Sequence, residues 1–122
     1  MGISHVIRGE DHISNTPKQL LIYEALGYPA PQFAHLPMIL GPDKKRLSKR
    51  HGAAGIQEFR DTGYSADALL NYLVMLGWNP GTEQELFTRE EMVAHFNIRK
   101  VQKKGAVYDE KKLHWIAGQH LA

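Results

Sequence analysis

The densest chemistry in the sequence is a short cationic run. Lys44, Lys45, Arg46, Lys49 and Arg50 put five of the 15 basic residues into seven positions, around Ser48. Lys offers a point charge, Arg a planar fork and Ser a neutral hydrogen bond, a combination that suits a polyphosphate. In phosphoryl or nucleotidyl transfer such groups neutralise charge that builds on a departing pyrophosphate. The spacing of a P-loop, G-x-x-x-x-G-K-S/T, is absent. A solvated basic turn is the plain alternative. Removing these five residues from the net charge of +2 leaves the rest of the chain at −3. The charge therefore marks a local anion site more than a generally cationic surface.

Other candidate chemistries find little support. Seven histidines (His5, His12, His35, His51, His95, His114 and His120) show no ligand spacing, so no protein-bound metal is expected. The absence of cysteine excludes a thiol nucleophile, a disulfide framework and a thiolate metal site. Glu10 and Asp11 are adjacent and diverge in direction, which argues against a hydrolytic acid pair. Ser14 and Ser48 lack the strained elbow of a serine nucleophile.

The elements that position the loop can be read along the chain. Ile3 to Ile7 alternates like a short strand with Arg8 at its exit. Gly9 to His12 breaks it, and Thr16-Pro17 opens a helix that ends at Gly27. Phe33 to Leu40 reads as a second strand limited by Pro37, and Gly41-Pro42-Asp43 turns into the cationic loop. A strand, a helix and a strand imply a parallel pair. Two parallel strands alone cannot make a core, so the chain is expected to be part of a longer polypeptide or of an assembly.

Beyond a boundary at 52–55 everything reads helical. Ser65 caps 66–76, with Tyr64 stapled onto Leu69 and Gly77 closing the helix. Leu69, Leu70, Tyr72, Leu73 and Leu76 are its expected core positions. Trp78 to Gly81 is a turn. Thr88-x-x-Glu91 is a capping box with Phe87 and Met92 as staple, and Asp109 caps a last helix carrying Leu113, Trp115 and Ile116. The expected fold is α/β over residues 1–52 followed by all-α over 53–122. No apolar run approaches the roughly 20 residues of a membrane span. The charged N-terminus does not read as a signal peptide, so a cytoplasmic location is expected.

Arg46-Leu47-Ser48-Lys49-Arg50 resembles the KMSKS signature of class I aminoacyl-tRNA synthetases, in the LSKRHG variant of the bacterial-type glutamyl-tRNA synthetase family. HVIRGEDHISNTPKQLLIYEALGY, FAHLPMILGPD, DALLNYLVMLGW and TREEMV are similar to that family in order and spacing. The resemblance covers essentially the whole chain. It implies the C-terminal half of a Rossmann-like catalytic fold at 1–52 and a helical stem-contact lobe at 53–122. It also implies ATP, carrying Mg²⁺ on its phosphates, L-glutamate and the tRNA for glutamate as partners, no membrane, and a monomeric parent enzyme.

By the same resemblance Lys49 and Arg46 are the catalytic cations, with Ser48 on the ATP phosphates. Arg46 stands where the signature usually has Lys, which keeps the charge and changes the geometry. Backbone groups of Met38 and Ile39 would hold adenine, Asp11 and His12 would lie near the nucleotide, and Arg8 would contact the carboxylate of glutamate. A surface ion pair from Arg8 to Glu10 or Asp11 is the alternative. Lys103 and Lys104 would meet tRNA phosphates, where a solvated face is the default. The family's HIGH motif is absent, so these residues alone are expected not to charge tRNA. A paralogue that glutamylates a modified tRNA base, and a non-catalytic tRNA- or nucleotide-binding module, are the competing readings.

Overall fold

The computed structural model describes residues 1–48 and 55–121. Strand β1 covers His5–Gly9 and pairs in parallel with β2, Gln32–Leu36, in the register Val6↔Phe33, Ile7↔Ala34 and Arg8↔His35. β1 starts two residues later than the alternation suggests, because its pairing begins at His5↔Gln32 and runs through Arg8 to Gly9. The connection is a 3-10 turn, Glu10–Asn15, and helix α1, Thr16–Leu26. Gly27 closes α1 at φ 73°, a left-handed conformation that suits glycine.

Thr16 does not cap α1. A cap residue needs extended backbone, but Thr16 is itself helical at φ −61° and ψ −46°, as is Asn15 before it at φ −82° and ψ −18°. The 3-10 turn runs straight into the helix, and the Thr16 N–H bonds to the Ile13 carbonyl. The Thr16 hydroxyl is left for another use.

Pro37 splits the expected second strand. β2 ends at Leu36 and the chain resumes as β3, Ile39–Leu40, which leaves β1 and pairs in parallel with β4, Ala106–Val107. β4 corrects the expectation of an all-helical second half. Two residues carry no alternation to read, and the pairing depends on a bare backbone: a Cβ on Gly105 would lie 2.8 Å from Leu40 Cδ1.

The remaining helices are α2, Ile56–Thr62, α3, Ala66–Gly77, α4, Arg89–His95, and α5, Glu110–Leu121. Ser65 Oγ accepts from the Ala68 N–H, the Thr88–Glu91 capping box is complete, and Asp109 Oδ1 accepts from the Lys111 and Lys112 N–H groups. Gly77 ends α3 for a packing reason and not as a left-handed cap. A Cβ there would meet Pro37 Cγ at 3.1 Å.

The core gathers around α3. One cluster joins Leu69 and Tyr72 to Leu113 and Ile116 of α5, flanked by Phe59, Tyr64 and Tyr108. A second joins Trp78, Phe87 and Met92. At roughly 1.5–3 kcal/mol per buried large side chain, these clusters dominate the stability. Leu70, Leu73 and Trp115 are exposed, not core. A 3.6-residue period turns Leu70 and Trp115 away from the stripes of Leu69 and Ile116, whereas Leu73 shares the Leu69 face and lines an open groove with Ile39, Leu69 and Leu76. Burial pushes the Tyr72 phenol up to about 12. Its oxygen accepts from the Asp109 N–H at 2.7 Å, tying the start of α5 to α3. In contrast, α1 has no buried residue, and Leu21, Ile22 and Leu26 are exposed. No helix among the described residues is long and apolar enough to cross a membrane.

Candidate functional site

The site forms where β1, β2 and β3 end. Arg8 is the penultimate residue of β1, half-buried. Its Nε donates to His35 Nε2 at 3.2 Å, and its Nη2 donates to Thr16 Oγ1 at 2.9 Å. The guanidinium carbon lies 5.1 Å from the centre of the Phe33 ring, a cation–π distance. Arg8 makes no ion pair among the described residues, so the alternative of a bridge to Glu10 or Asp11 is not the arrangement seen. Its positive charge is cradled by neutral groups.

Asp11 faces the other way. Its Oδ2 accepts from Arg46 Nη2 at 3.3 Å and lies 3.8 Å from His12 Nε2. Its carboxylate folds back over Gly9, where a Cβ would lie 2.5 Å from Asp11 Oδ1. Glycine at the strand exit therefore leaves room for the acid to reach the cationic loop. The pair is largely exposed, so its worth is about 0.2–1 kcal/mol; it orients Arg46 more than it stabilises the fold.

The loop backbone is firmly held. The Gly41 N–H bonds to the Lys45 carbonyl at 2.8 Å, and the Lys44 N–H bonds back to Gly41 at 2.9 Å. Asp43 Oδ1 accepts from the Lys45 N–H at 3.1 Å. Lys44 adopts φ 63°, strained for a residue with a side chain, and the surrounding bonds sustain it. Leu40 and Arg46 bridge in antiparallel fashion, and the Leu47 N–H bonds to the Ile39 carbonyl at 2.9 Å. The Met38 carbonyl accepts from Ala106 at 2.9 Å. The carbonyls of Met38 and Ile39 are thus engaged within the protein.

The structure brings Arg8, Asp11, His12, Ile39, Arg46 and Leu47 to one end of the strands. Ser48 closes the described part of the loop, half-buried. Lys49 and Arg50 lie outside the described residues. Lys103 and Lys104 are exposed on the turn before β4. No group of three or more His, Asp or Glu side chains suited to a metal comes together among the described residues.

Three residues of the site were not legible as such: Thr16, Phe33 and His35. Thr16 reads as a helix cap, and Phe33 and His35 as strand interior. The available signal was the register, because pairing β1 with β2 sets His35 beside Arg8.

Anion-binding side chains at the carboxyl ends of parallel strands place the site where open α/β sheets bind nucleotides and acids. The family model for the catalytic domain of class I tRNA synthetases (E and Q) matches residues 1–115, and the chain belongs to that family. Within it the chain is similar to glutamate–tRNA ligases. It is 57% identical over 121 residues to the ligase of Desulforudis audaxviator, covering 99% of this chain and 24% of that protein. To the ligase of Aquifex aeolicus it is 55% identical over 122 residues, covering 99% and 26%. The crystal structure of a glutamate tRNA ligase from Elizabethkingia meningosepticum in complex with its amino acid superposes with a TM-score of 0.88 at 36% identity, covering 98% of this chain and 27% of that one. The chain spans about a quarter of the length of the relatives it matches.

Proposed function

We propose that these residues are the part of a glutamate–tRNA ligase that binds ATP phosphates and the amino acid. Residues 1–52 would be the second half of its Rossmann-like catalytic domain, and 53–122 its helical stem-contact domain. The reaction has two steps. The α-carboxylate of glutamate attacks the α-phosphorus of ATP, giving glutamyl-adenylate and pyrophosphate. The glutamyl group then passes to the terminal ribose of the tRNA. Both steps depend on positioning and charge neutralisation, with no covalent bond to the protein.

The observation that carries this reading is the pairing of opposite arrangements at one strand end. Arg46 of the loop is drawn by Asp11 toward the exit of β1, while Arg8 is left without a carboxylate partner among the described residues. Arg46, Ser48 and Lys49 would neutralise the triphosphate and the Mg²⁺ it carries, which enters as part of the substrate. Met38 and Ile39, whose carbonyls already accept from Ala106 and Leu47, would offer their remaining backbone hydrogen-bonding capacity to adenine, flanked by Asp11 and His12. Arg8 would read the carboxylate of glutamate, and Lys103 and Lys104 would meet tRNA phosphates.

The test is ATP–pyrophosphate exchange in the ligase polypeptide that carries these residues. Arg8→Ala is expected to raise the KM for glutamate on the order of 100-fold, the worth of a charge-assisted fork, with the KM for ATP unchanged. Lys49→Ala is expected to act on ATP and not on glutamate. The reverse pattern, or exchange at full rate by the 122 residues alone, would overturn the proposal.

A further inference from the structure

We infer that His35, with Thr16 and Phe33, is a positioning residue that turns the outer fork of Arg8 toward the acidic substrate while leaving its charge uncompensated. This rests on the reading of Arg8 as the carboxylate-binding group.

The proton accounting fixes the state of His35. Arg8 Nε can only donate, so His35 Nε2 must accept at 3.2 Å. The imidazole is therefore neutral, with its proton on Nδ1. Arg8 Nη2 donates to Thr16 Oγ1, whose own proton is directed to the His12 carbonyl oxygen at 3.4 Å. Thr16 Oγ1 lies 3.5 Å from His35 Nε2, so the two acceptors stand side by side. Phe33 lies parallel to His35 within 3° and presents its ring to the guanidinium.

Nε and Nη2 form one edge of the guanidinium plane. His35 and Thr16 occupy that edge, using two of five N–H donors. The two Nη1 protons and the second Nη2 proton remain, and they make the end-on fork that matches a carboxylate. Arg8 is on β1 and its supports come from two other elements: β2 carries Phe33 and His35, and α1 carries Thr16. Side chains locked on regular elements hold a fork more accurately than a loop can. All three contacts are neutral, and that is the functional point. An acid at position 35 would seize Arg8 and compete with the substrate.

Three replacements at His35 separate positioning from bulk. In the ligase polypeptide, His35→Gln keeps a neutral acceptor and is expected to hold the KM for glutamate within about threefold. His35→Glu inserts the competing carboxylate and is expected to raise it on the order of 100-fold, with His35→Ala between them and the KM for ATP steady throughout. Equal effects of Gln and Glu, or parallel changes for glutamate and ATP, would overturn the inference. Ring-nitrogen NMR of His35 is independent of catalysis: a neutral Nδ1–H imidazole is expected, and an Nε2–H form would refute the clamp. Should Arg8→Ala leave the KM for glutamate unchanged while that tautomer is found, the reading of Arg8 fails and the clamp stands.

Discussion

Asn71 is the fully buried polar side chain of α3, and its removal should be among the costliest single changes in the chain. Its Oδ1 accepts from the Phe87 N–H at 3.0 Å and from His120 Nε2 at 2.9 Å, and its Nδ2 donates to the Glu85 carbonyl at 2.9 Å. One amide thus ties α3 to the segment before α4 and to the end of α5. Asn71→Leu keeps the volume and strips all three bonds. The Phe87 N–H would be stranded away from water, at about 1–3 kcal/mol. The Glu85 carbonyl and the His120 ring are half-buried and can turn partly to water, at about 0.5–1 kcal/mol each. The expected loss is about 2–5 kcal/mol, a large share of the stability of an ordinary domain. Urea unfolding followed by tryptophan fluorescence measures it, since Trp78 is buried against Phe87. A loss below about 0.5 kcal/mol would show that these bonds exchange evenly for water and would refute the reasoning.

Gly105→Ala should loosen the β3–β4 pairing, because its Cβ would press on Leu40 Cδ1 at 2.8 Å and approach the Met38 carbonyl at 3.4 Å. The expected cost is about 1–3 kcal/mol, with faster amide exchange at Ala106; unchanged exchange there would show that Leu40 simply moves aside. Glu91 supplies a pH signature. The Thr88 N–H first, and Gln84 next, hold its carboxyl below the ordinary carboxylate range. A depressed folded-state value stabilises above the unfolded value of about 4.3 and fades as pH falls through the folded one. Wild type should therefore exceed Glu91→Gln in stability at neutral pH, and the gap should close in acid melts; a gap independent of pH would contradict this.

Local chemistry in the sequence was legible where a single residue type decides the backbone. Gly27, Ser65, the Thr88–Glu91 box and Asp109 all act as their residue types require. The parallel β1–β2 pair also follows from the order of elements. Thr16 reads as a cap and is not one, because a cap depends on the residue's own backbone being extended, and the preceding 3-10 turn leads Thr16 in already helical. The continuous strand across Pro37 failed because apolar character says nothing about which neighbour a strand pairs with. β4 was invisible because its pairing depends on the space left by Gly105, a tertiary fact. In the site, charged groups announced themselves in the sequence and their neutral supports did not. Arg8, Asp11 and Arg46 are conspicuous by charge, whereas Thr16, Phe33 and His35 gain meaning only through a register.

The break at Pro37 also explains why the cationic loop is stiff at its root. β3 uses both edges. Toward β4, Met38 and Leu40 carbonyls accept from Ala106 and Tyr108 at 2.9 and 2.8 Å; toward the loop, Ile39 accepts from Leu47 and Gly41 donates to Lys45. Residues 41–47 therefore form a third rung on a small ladder whose far side continues through β4 to Asp109 and, by its N–H on the Tyr72 hydroxyl, to α3. Moving the loop as a body at Arg46 or Leu47 means breaking ladder bonds, at about 0.5–1.5 kcal/mol each. Turning the Arg46 side chain means giving up only an exposed ion pair with Asp11, worth about 0.2–1 kcal/mol. Rearrangement around a phosphate is therefore easier in the side chains of this segment than in its backbone. The short β3–β4 pairing fixes the root of the loop to the helical core, and the Arg46–Asp11 pair is what links its basic residues to the strand exit beyond Arg8.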